Sequence, residues 1–429
     1  MSINNCILKT LNMKDKNITF NENFACEENI KGKRSLVYSG YLDEKIIECP
    51  SCHSLNIIKF GTKTSDIKIP KISELNAYLR LRKQRYQCKH CMRQITSSTN
   101  EVNYRCRISN NTKLSIINYS KETISFKLIS KIHNVSDMSV QRINNKVYDN
   151  DKLYKHHLPT NMCFDEFHFK TRIMSFNICD ADTGKTVDIL FDRKQDNLNK
   201  YFSYYSDISK SCVENIVIDM YKPYISLVTD NFPNANIIID LFHLVQLISK
   251  AMNKTRIKHM KNDKLKYNYN KMKRYWRLLL KSRFDLDTSV WKKYTCFSHL
   301  MTEVDVVEFI LRDNIELSNT YHLYQEILYA LQSRNYELLS HLLDKEHTNI
   351  SSYLLTSINT LIEFLPYIKN TLSSTLSNGV MERNNNTIKL LKRIAFGFRN
   401  FINFKARILV VTSLFRSHKK NSEFSFTIP

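Results

Sequence analysis

Three acidic residues stand at positions where two-metal phosphodiester chemistry would place its ligands. Asp165 lies in the alternating segment NMCFDEFHFK, Asp219 ends the apolar run ENIVID, and Glu382 follows SNGVM at the start of a basic helix. Two Mg²⁺ or Mn²⁺ ions about 3.5 to 4 Å apart need carboxylates that converge from separate elements. Strand alternation puts Glu166 on the face opposite Asp165, so only one of these adjacent acids can be a direct ligand. The trio predicts metal-dependent cleavage; the alternative is that the acids are caps or ion-pair partners.

Four cysteines form two Cys-x-x-Cys pairs that are typical of a structural zinc site. They are Cys49 and Cys52 in CPSC, and Cys88 and Cys91 in CKHC. Four thiolates on two tight turns can surround Zn²⁺ tetrahedrally and leave no open position for catalysis, so the predicted role is structural. The spacing between the pairs is longer than usual, which predicts an extra loop from Gly61 to Pro70. Four unrelated free cysteines are the alternative.

The charge balance favours nucleic acid as the partner. The 429 residues carry a formal net charge of +23, which attracts phosphates or anionic membrane surfaces. No apolar run reaches the roughly 18 residues of a membrane span, and no secretory signal or even-numbered cysteine framework is present. We therefore expect a soluble, cytoplasmic protein without a membrane partner. Basic residues surround the second cysteine pair and suit phosphate contact, with a solvated face as the alternative: Arg80, Arg82, Lys83, Arg85 and Arg93.

A pair of helices resembling a helix-turn-helix lies within residues 110–150. Residues 122–133 have helical character, Asn134 and Val135 read as a turn, and Ser136 is a typical N-cap. The second helix would present a set of polar residues to a DNA major groove: Ser139, Gln141, Arg142, Asn145 and Lys146. Helical pairs of this kind also occur in proteins that never contact DNA.

The helix that carries Glu382 is amphipathic and basic. Ile388 and Leu391 belong to its apolar face. The predicted DNA contacts on it are Arg383, Lys389, Lys392 and Arg393. Such a helix is suited to lie between a protein core and a polyanion.

The pattern along the chain predicts an α/β protein of several units. We assign residues 1–45 to a polar N-terminal arm and 46–100 to the zinc ribbon. Alternating strands and helices over 160–243 form the first part of a catalytic core, 244–372 is helical without strands, and 373–416 completes the core. Basic residues from Lys254 to Arg283 are interleaved with Tyr267, Tyr269, Tyr275 and Trp276, which suggests a DNA-tracking surface or a solvated helix face with buried aromatics.

Several long segments resemble the ISL-three family of bacterial insertion-sequence transposases. They are DEFHF, VIDMYKPY, FPNANIIIDLFHLV and SNGVMERNNNTIKLLKRIAFGFRNFINFKARIL. The resemblance covers about residues 45–415 and implies a ribonuclease-H-like catalytic core with an all-helical insertion, preceded by the zinc ribbon and helix-turn-helix. By this resemblance Asp165, Asp219 and Glu382 correspond to the catalytic Asp-Asp-Glu set. Arg383 stands where many members have glycine, which indicates either a DNA contact or a decayed copy.

The resemblance also implies roles for residues near the second aspartate. Asp240 and His243 look like an acidic-x-x-His element, which would order the site without binding metal; an aspartate N-cap with a packed histidine is the alternative. The implied partners are the terminal inverted repeats and target DNA, and pairing two ends suggests a homodimer or larger assembly in the bacterial nucleoid. Rival hypotheses are a transposase-derived repressor without activity and a nuclease, such as a junction resolvase, that cuts without strand transfer.

Overall fold

The computed structural model describes residues 2–152, 157–262 and 268–413 of the chain. Contacts divide the chain into two units, with boundaries at 155/156 and 385/386. The first unit joins the N-terminal residues to those after 385, and the second comprises residues 156–385. The predicted core segment 373–416 is therefore split between the units, and its residues 414–416 lie outside the described part of the chain.

A five-stranded sheet forms most of the first unit. Its elements are α1 (Ile3–Thr10), β1 (Ile18–Ile30), β2 (Lys33–Leu42), β3 (Ile57–Ile72), β4 (Leu75–Cys88) and β5 (Gln94–Thr96). The strand order is β1-β2-β4-β3, with β5 paired to β4. The β2–β4 pair is parallel, and the other pairs are antiparallel. Ile18, Leu79 and Leu81 are fully buried in the core of this sheet.

The prediction of a polar arm over residues 1–45 is wrong, because these residues form α1 and the β1–β2 hairpin. Lys31 and Gly32 close the hairpin with φ values of 54° and 77°, as a tight antiparallel turn requires. Along β1 only Ile18 is buried, and the remaining side chains are exposed or half-buried. A strand with one buried side chain lacks the alternating signal from which sequence analysis recognises strands.

The prediction of a loop from Gly61 to Pro70 is also wrong, because both residues lie within β3. The β3–β4 register shifts twice near this stretch, between Lys59 and Thr62 and between Ile69 and Ile72, and the φ of 73° at Gly61 is typical of a bulge. The extra length between the two cysteine pairs is a long β3–β4 hairpin, closed by Ser73 and Glu74 at positive φ.

Three short helices follow the sheet: α2 (Asn110–Ser120), α3 (Phe126–His133) and α4 (Asp137–Lys152). Ile116, Ile129 and Val140, one from each helix, are fully buried against one another. Asn134 ends α3 in the left-handed conformation, with φ of 50°. The Ser136 hydroxyl accepts a hydrogen bond from the Ser139 amide at 3.2 Å and so caps α4. The turn between α3 and α4 thus spans residues 134–136.

The second unit is built on a mixed sheet. Its strands are β6 (Asn161–Lys170), β7 (Ile173–Asp180), β8 (Thr186–Leu190), β9 (Asn215–Ile218) and β10 (Asn236–Ile239). The order is β10-β9-β6-β7-β8, with β6, β7 and β8 antiparallel and β9 and β10 parallel to β6. The connecting helices are α5 (Gln195–Phe202), α6 (Asp207–Ser211) and α7 (Lys222–Asn231). Phe164 is buried on one face of β6, and Cys163 belongs to a separate buried cluster on the other.

Helices dominate the chain after β10. They are α8 (Leu241–Asn262), α9 (Tyr269–Arg274), α10 (Trp276–Leu280), a 3-10 turn (Arg283–Asp285), α11 (Glu303–Leu311), α12 (Ile315–Gln332), α13 (Tyr336–Asp344), α14 (Ser352–Glu363) and α15 (Leu365–Ser373). The predicted boundary at 243/244 falls inside α8. The prediction of no strands is wrong, since β11 (Lys292–Lys293) pairs with β12 (Leu300–Met301). Among the described helices, none combines the length and apolar character that a membrane crossing needs.

Two helices complete the described chain, α16 (Gly379–Ile394) and α17 (Phe401–Thr412). The unit boundary at 385/386 falls within α16, and α17 belongs to the first unit, where it contacts α2 and α4. The buried Arg407 guanidinium donates hydrogen bonds to the carbonyls of Ser120, Glu122 and Ile124. These carbonyls lie at and just beyond the end of α2, so α17 caps that end with a side chain.

Candidate active site and zinc centre

Strand pairing brings the first two predicted acids together in the second unit. Strands β6 and β9 are parallel, with Cys163 opposite Val217. Continuing this register by two residues places Asp165 beside Asp219, at the carboxyl end of β9. Burial raises the pKa of both carboxyl groups, and the neighbouring Asp165 charge helps to raise the pKa of Asp219 to about 7. Two half-buried like charges in one place are costly unless a cation neutralises them.

Asp240 and His243 lie against Asp219. Asp240 follows β10 directly, and the first turn of α8 brings His243 back toward it. His243 Nδ1 is 3.0 Å from Asp240 Oδ2 and 3.2 Å from Asp219 Oδ1. The hydrogen bond to Asp240 is the largest factor that raises the pKa of His243. The structure therefore brings together four of the five residues predicted for the site.

Helix α16 places the remaining acid, Glu382, on a face that contacts both aspartates. Asn378, Glu382 and Asn385 share this face because they are spaced by four and three residues. Asn385 Nδ2 donates to Asp165 Oδ2 at 2.6 Å, and Asn378 Nδ2 lies 3.5 Å from Asp219 Oδ1. The Glu382 side chain itself is exposed. The two asparagines could not be predicted from the sequence, because amides carry no charge or spacing signal of their own.

The residues present fit a divalent cation. One potential ligand atom each from Asp219, Asp240 and His243 lies within 4.8 Å of the others; this group, found among the described residues, includes neither Asp165 nor Glu382. The buried Asn378 Oδ1 has no hydrogen-bond partner in the described part of the chain. Carboxylate and amide oxygens are the ligands that Mg²⁺ and Mn²⁺ prefer, and an imidazole is tolerated by Mn²⁺.

An open cavity of about 420 Å³ lies over these acids. Asp165, Asp219 and His243 line it together with two cationic residues, Arg193 and Lys250. A larger cavity of about 1260 Å³ in the helical segment is lined by residues between Arg283 and His322, which include none of the predicted catalytic acids. The predicted site residues Asp165, Asp219 and His243 therefore line the smaller cavity.

The second acid of the Asp-Glu pair has a different environment. Glu166 accepts hydrogen bonds from Arg193, at 2.7 Å to each carboxylate oxygen, and from the Tyr224 hydroxyl. Arg193 also lies 5.3 Å from the centre of the Tyr221 ring. Glu166 is thus held in an ion pair with Arg193, although its side chain lines the same cavity as Asp165.

The four predicted zinc ligands come together in the first unit. The sulfur atoms of Cys49 and Cys91 are 3.6 Å apart, and those of Cys52 and Cys88 are 3.5 Å apart. All four lie within 4.8 Å of one another. Zn–S bonds of about 2.3 Å in a tetrahedron put sulfurs about 3.8 Å apart, so the thiols fit Zn²⁺. The Cys91 backbone amide is the main cause that lowers the pKa of Cys88 to about 6, which favours the thiolate that binds metal.

Comparison with known proteins decides the family. A family model described as a transposase, of the ISL3 type, matches residues 162–408, which is more than half of the chain. The chain belongs to the ISL3 family of transposases. A second model, the zinc finger of the transposases IS204, IS1001, IS1096 and IS1165, matches residues 46–91. The zinc-finger match and the four clustered thiols support a structural Zn²⁺ in this ISL3 transposase, and the family implies a divalent cation, typically Mg²⁺.

One curated relative is similar over a shorter segment. A Lactococcus lactis subsp. lactis protein named "ATP-dependent protease" is 44% identical to this transposase over 110 residues. The matched segment covers 26% of the transposase and 35% of the relative, so the transposase spans about a third of that protein's length. The name "ATP-dependent protease" belongs to the Lactococcus protein and says nothing about the activity of this chain.

The predicted DNA contacts of this transposase differ in their surroundings. Arg142 and Lys146 are exposed one turn apart on α4, whereas Ser139 and Gln141 are half-buried. Asn145 Nδ2 donates to Asn403 of α17 at 2.8 Å, so the NH₂ group of its amide is already engaged. On α16, three of the predicted contacts are exposed and Lys392 is half-buried; the exposed ones are Arg383, Lys389 and Arg393.

Other basic residues of the transposase have protein partners. Arg80 pairs with Asp66 and Glu28, at 2.9 and 2.7 Å, rather than facing a phosphate. In the predicted DNA-tracking stretch, Arg256 is buried and donates to the Met272 carbonyl. Lys271 is buried beside the Phe309 ring. The stretch is therefore not one continuous basic surface, and its Tyr267 lies outside the described residues.

Proposed function

We propose that this transposase cuts DNA at the ends of its insertion sequence and joins those ends to target DNA through Asp165, Asp219 and Glu382. The observation that carries the proposal is that α16 carries Glu382 between two asparagines that contact the two aspartates. The strand order β10-β9-β6-β7-β8, with three antiparallel strands followed by two parallel ones, supports a ribonuclease-H-like core. The long helical segment between Asp219 and Glu382 would then be an insertion into that core.

The site would hold two divalent cations, Mg²⁺ or Mn²⁺, with Asp165 and Asp219 as oxygen ligands. When bound, such cations activate the attacking oxygen and stabilise charge on the phosphate. Asp240 and His243 orient the Asp219 carboxylate through the contacts described above. Arg193 and Lys250, on the cavity wall, balance the charge of an entering strand.

The proposed reaction has two in-line steps at the same residues. Water attacks the phosphorus at the element end, the bond from phosphorus to the 3′ oxygen breaks, and a 3′-hydroxyl is released. That hydroxyl then attacks a target phosphodiester, so that one P–O bond forms while the target strand's own P–O bond breaks. No covalent bond to the protein is required.

Recognition of the terminal inverted repeats is assigned to the first unit. The zinc ribbon and a helix-turn-helix formed by α3 and α4 would bind each repeat, with Arg142 and Lys146 facing the DNA. Pairing of two ends implies at least two copies of the chain on DNA, which is the proposed homodimer.

The test is cleavage and joining of labelled DNA that carries the element's own terminal repeats, with Mg²⁺ present. Wild type is compared with Glu382→Gln and with Glu337→Gln, a matched control whose acid also lies in the first turn of a helix. We expect end-specific cuts and joined products from wild type and the control, and DNA binding alone from Glu382→Gln. If wild type only binds, the protein is a repressor; if it nicks but never joins, it is a nuclease without strand transfer.

A further inference from the structure

Two buried asparagines, Asn378 immediately before α16 and Asn385 within it, connect the helix of the third acid to the strands of the other two. Asn378 and Asn385 are 6% and 7% exposed, so neither amide is a surface group. They lie four residues before and three residues after Glu382, on the same helix face. Each reaches a different aspartate, Asn378 to Asp219 and Asn385 to Asp165. Buried amide groups are normally hydrogen-bonded, and the NH₂ groups of these two asparagines contact the predicted catalytic carboxylates.

The orientation of Asn385 is fixed by its neighbours. Asn177, which is fully buried in β7, donates through Nδ2 to Asn385 Oδ1 at 3.3 Å. The Cys179 thiol donates to Asn177 Oδ1 at 3.7 Å, which sets the orientation of that amide in turn. With its oxygen occupied by Asn177, Asn385 must turn its Nδ2 toward Asp165. A chain of three side chains in the sheet and helix thus ends on the carboxylate.

Asp165 is consequently held at both oxygens. Asn385 donates to Oδ2, and the Glu166 backbone amide donates to Oδ1 at 2.6 Å. Each oxygen keeps a second lone pair for a further partner. This arrangement fixes the rotation of the carboxylate and leaves it able to bind a cation.

Asn378 links Asp219 to Glu382 through its side chain and its backbone. Its Nδ2 lies 3.5 Å from Asp219 Oδ1, and its carbonyl accepts the Glu382 amide at 3.0 Å. Its Oδ1 is buried without a partner in the described part of the chain. A buried amide oxygen in this state costs free energy until a donor arrives, and a hydrated cation beside Asp219 would supply one.

We infer that Asn378 and Asn385 are positioning residues that set the register between Glu382 and the two aspartates and so prepare the site for its cations. The inference rests on the proposed function for its catalytic consequence, but the contacts themselves predict an effect on metal binding. Partners that orient metal ligands typically change metal affinity or activity by 10- to 100-fold when they are removed. The larger effect is expected at Asn385, whose hydrogen bond is the shorter one.

The experiment measures binding of Mn²⁺ to the zinc-loaded full chain by calorimetry, without DNA. Wild type is compared with Asn385→Ala, Asn378→Ala and the control Asn386→Ala, an exposed residue of the same helix. Asp165→Asn gives the calorimetric signal that remains when the carboxylate site cannot bind Mn²⁺. We expect Mn²⁺ affinity to fall about 10-fold or more for Asn385→Ala, somewhat less for Asn378→Ala, and to be unchanged for Asn386→Ala.

Two further measurements separate positioning from folding and from the proposed reaction. Both variants should still unfold cooperatively, at a somewhat lower temperature than wild type, and bind the terminal repeats like wild type, and raised Mn²⁺ should restore end cleavage to Asn385→Ala. Equal Mn²⁺ affinity for Asn385→Ala and Asn386→Ala would overturn the inference, as would a wild type that binds no more Mn²⁺ than Asp165→Asn. Normal Mn²⁺ binding without any DNA cleavage would instead contradict the proposed function and leave the positioning role intact.

Discussion

The zinc centre and the carboxylate site are two metal centres built in opposite ways. In the zinc centre each ligand pair lies on one short turn, and one β hairpin holds the two turns together. In the carboxylate site, Asp165 and its partner Asn385 are 220 residues apart and belong to different elements. The four thiols are closed around one position, whereas the acids line an open cavity.

This contrast separates what a local motif can specify from what only folding can assemble. The cysteine pairs orient their own thiols through backbone amides, so their geometry depends on few distant contacts. The acids depend on strand register, on the first turn of α8 and on α16. We therefore expect a change in the carboxylate site to alter chemistry with little effect on folding, and a change in the zinc centre to alter folding of the first unit.

The largest expected effect is that of Asp219→Asn on the reaction. Loss of an oxygen ligand should remove several kcal/mol of transition-state stabilisation, about 10³-fold or more in end cleavage. The same variant should be more stable without metal near pH 8. The folded-state pKa of about 7 is raised above the ordinary value, so ionisation at higher pH opposes folding, and the amide removes that charge.

Cleavage assays and thermal unfolding in chelator check both halves of this prediction. The control is Asp230→Asn, an exposed acid near the end of α7. A variant with lost cleavage and a lowered melting temperature would show that Asp219 stabilises the fold. It would contradict the expectation that changes in the carboxylate site have little effect on folding.

The second effect is that of zinc removal on the first unit. Cys88→Ser removes one of four ligands, and the ribbon should lose its order because structural zinc binding is coupled to folding. Terminal-repeat binding should fall by on the order of 10-fold or more, while Mn²⁺ binding by the second unit stays normal. Zinc content, DNA affinity and Mn²⁺ calorimetry are measured beside Cys106→Ser, an exposed cysteine of the same unit. Unchanged DNA affinity in zinc-free protein would exclude this role of the ribbon.

Features whose chemistry and spacing are local could be predicted from the sequence. Two short motifs predicted the four cysteines as zinc ligands, and the structure brings their thiols together. Asp165 and Asp219 were predicted from their places in apolar strand segments and lie side by side, while their catalytic role stays a prediction. Asn385 gave no such signal, because a hydrogen bond across 220 residues leaves no pattern in the sequence. The β1–β2 hairpin was not predicted for another reason. Its first strand buries only Ile18 and so lacks the alternation of apolar and polar residues that is typical of strands.

The unit to which the last described helix, α17, belongs could not be predicted from the sequence either. Residues 373–416 were predicted to complete the catalytic core, but α17 belongs with α2 and α4. The contact that fixes it joins Arg407 to Ser120, 287 residues earlier. A buried arginine bound to carbonyls rather than to an acid cannot be recognised from composition.

Arg407 therefore offers a long-range contact in the same unit as the locally built zinc centre. Arg407→Met should leave three carbonyls without a donor and destabilise the first unit by roughly 3 kcal/mol. Arg407→Lys should have an intermediate effect, since an ammonium reaches fewer of them. Denaturant unfolding and terminal-repeat affinity are the measurements. If both variants unfold like wild type, the Arg407 contact does not stabilise α2, α3 and α4. The stability of the first unit would then not depend on this long-range contact.

The smallest expected effect concerns α4, where an exposed cation and an engaged amide lie three residues apart. Arg142→Ala should weaken terminal-repeat binding about tenfold, whereas Asn145→Ala should change it less, because the Asn145 amide is held by Asn403. The salt dependence of binding distinguishes the mode of contact. A phosphate contact lowers the slope of log affinity against log salt by about 1 and affects all sequences, whereas a base contact relaxes specificity at one position. A larger loss of affinity for Asn145→Ala would mean that Asn145 leaves Asn403 of α17 and contacts DNA instead. DNA binding would then rearrange the first unit.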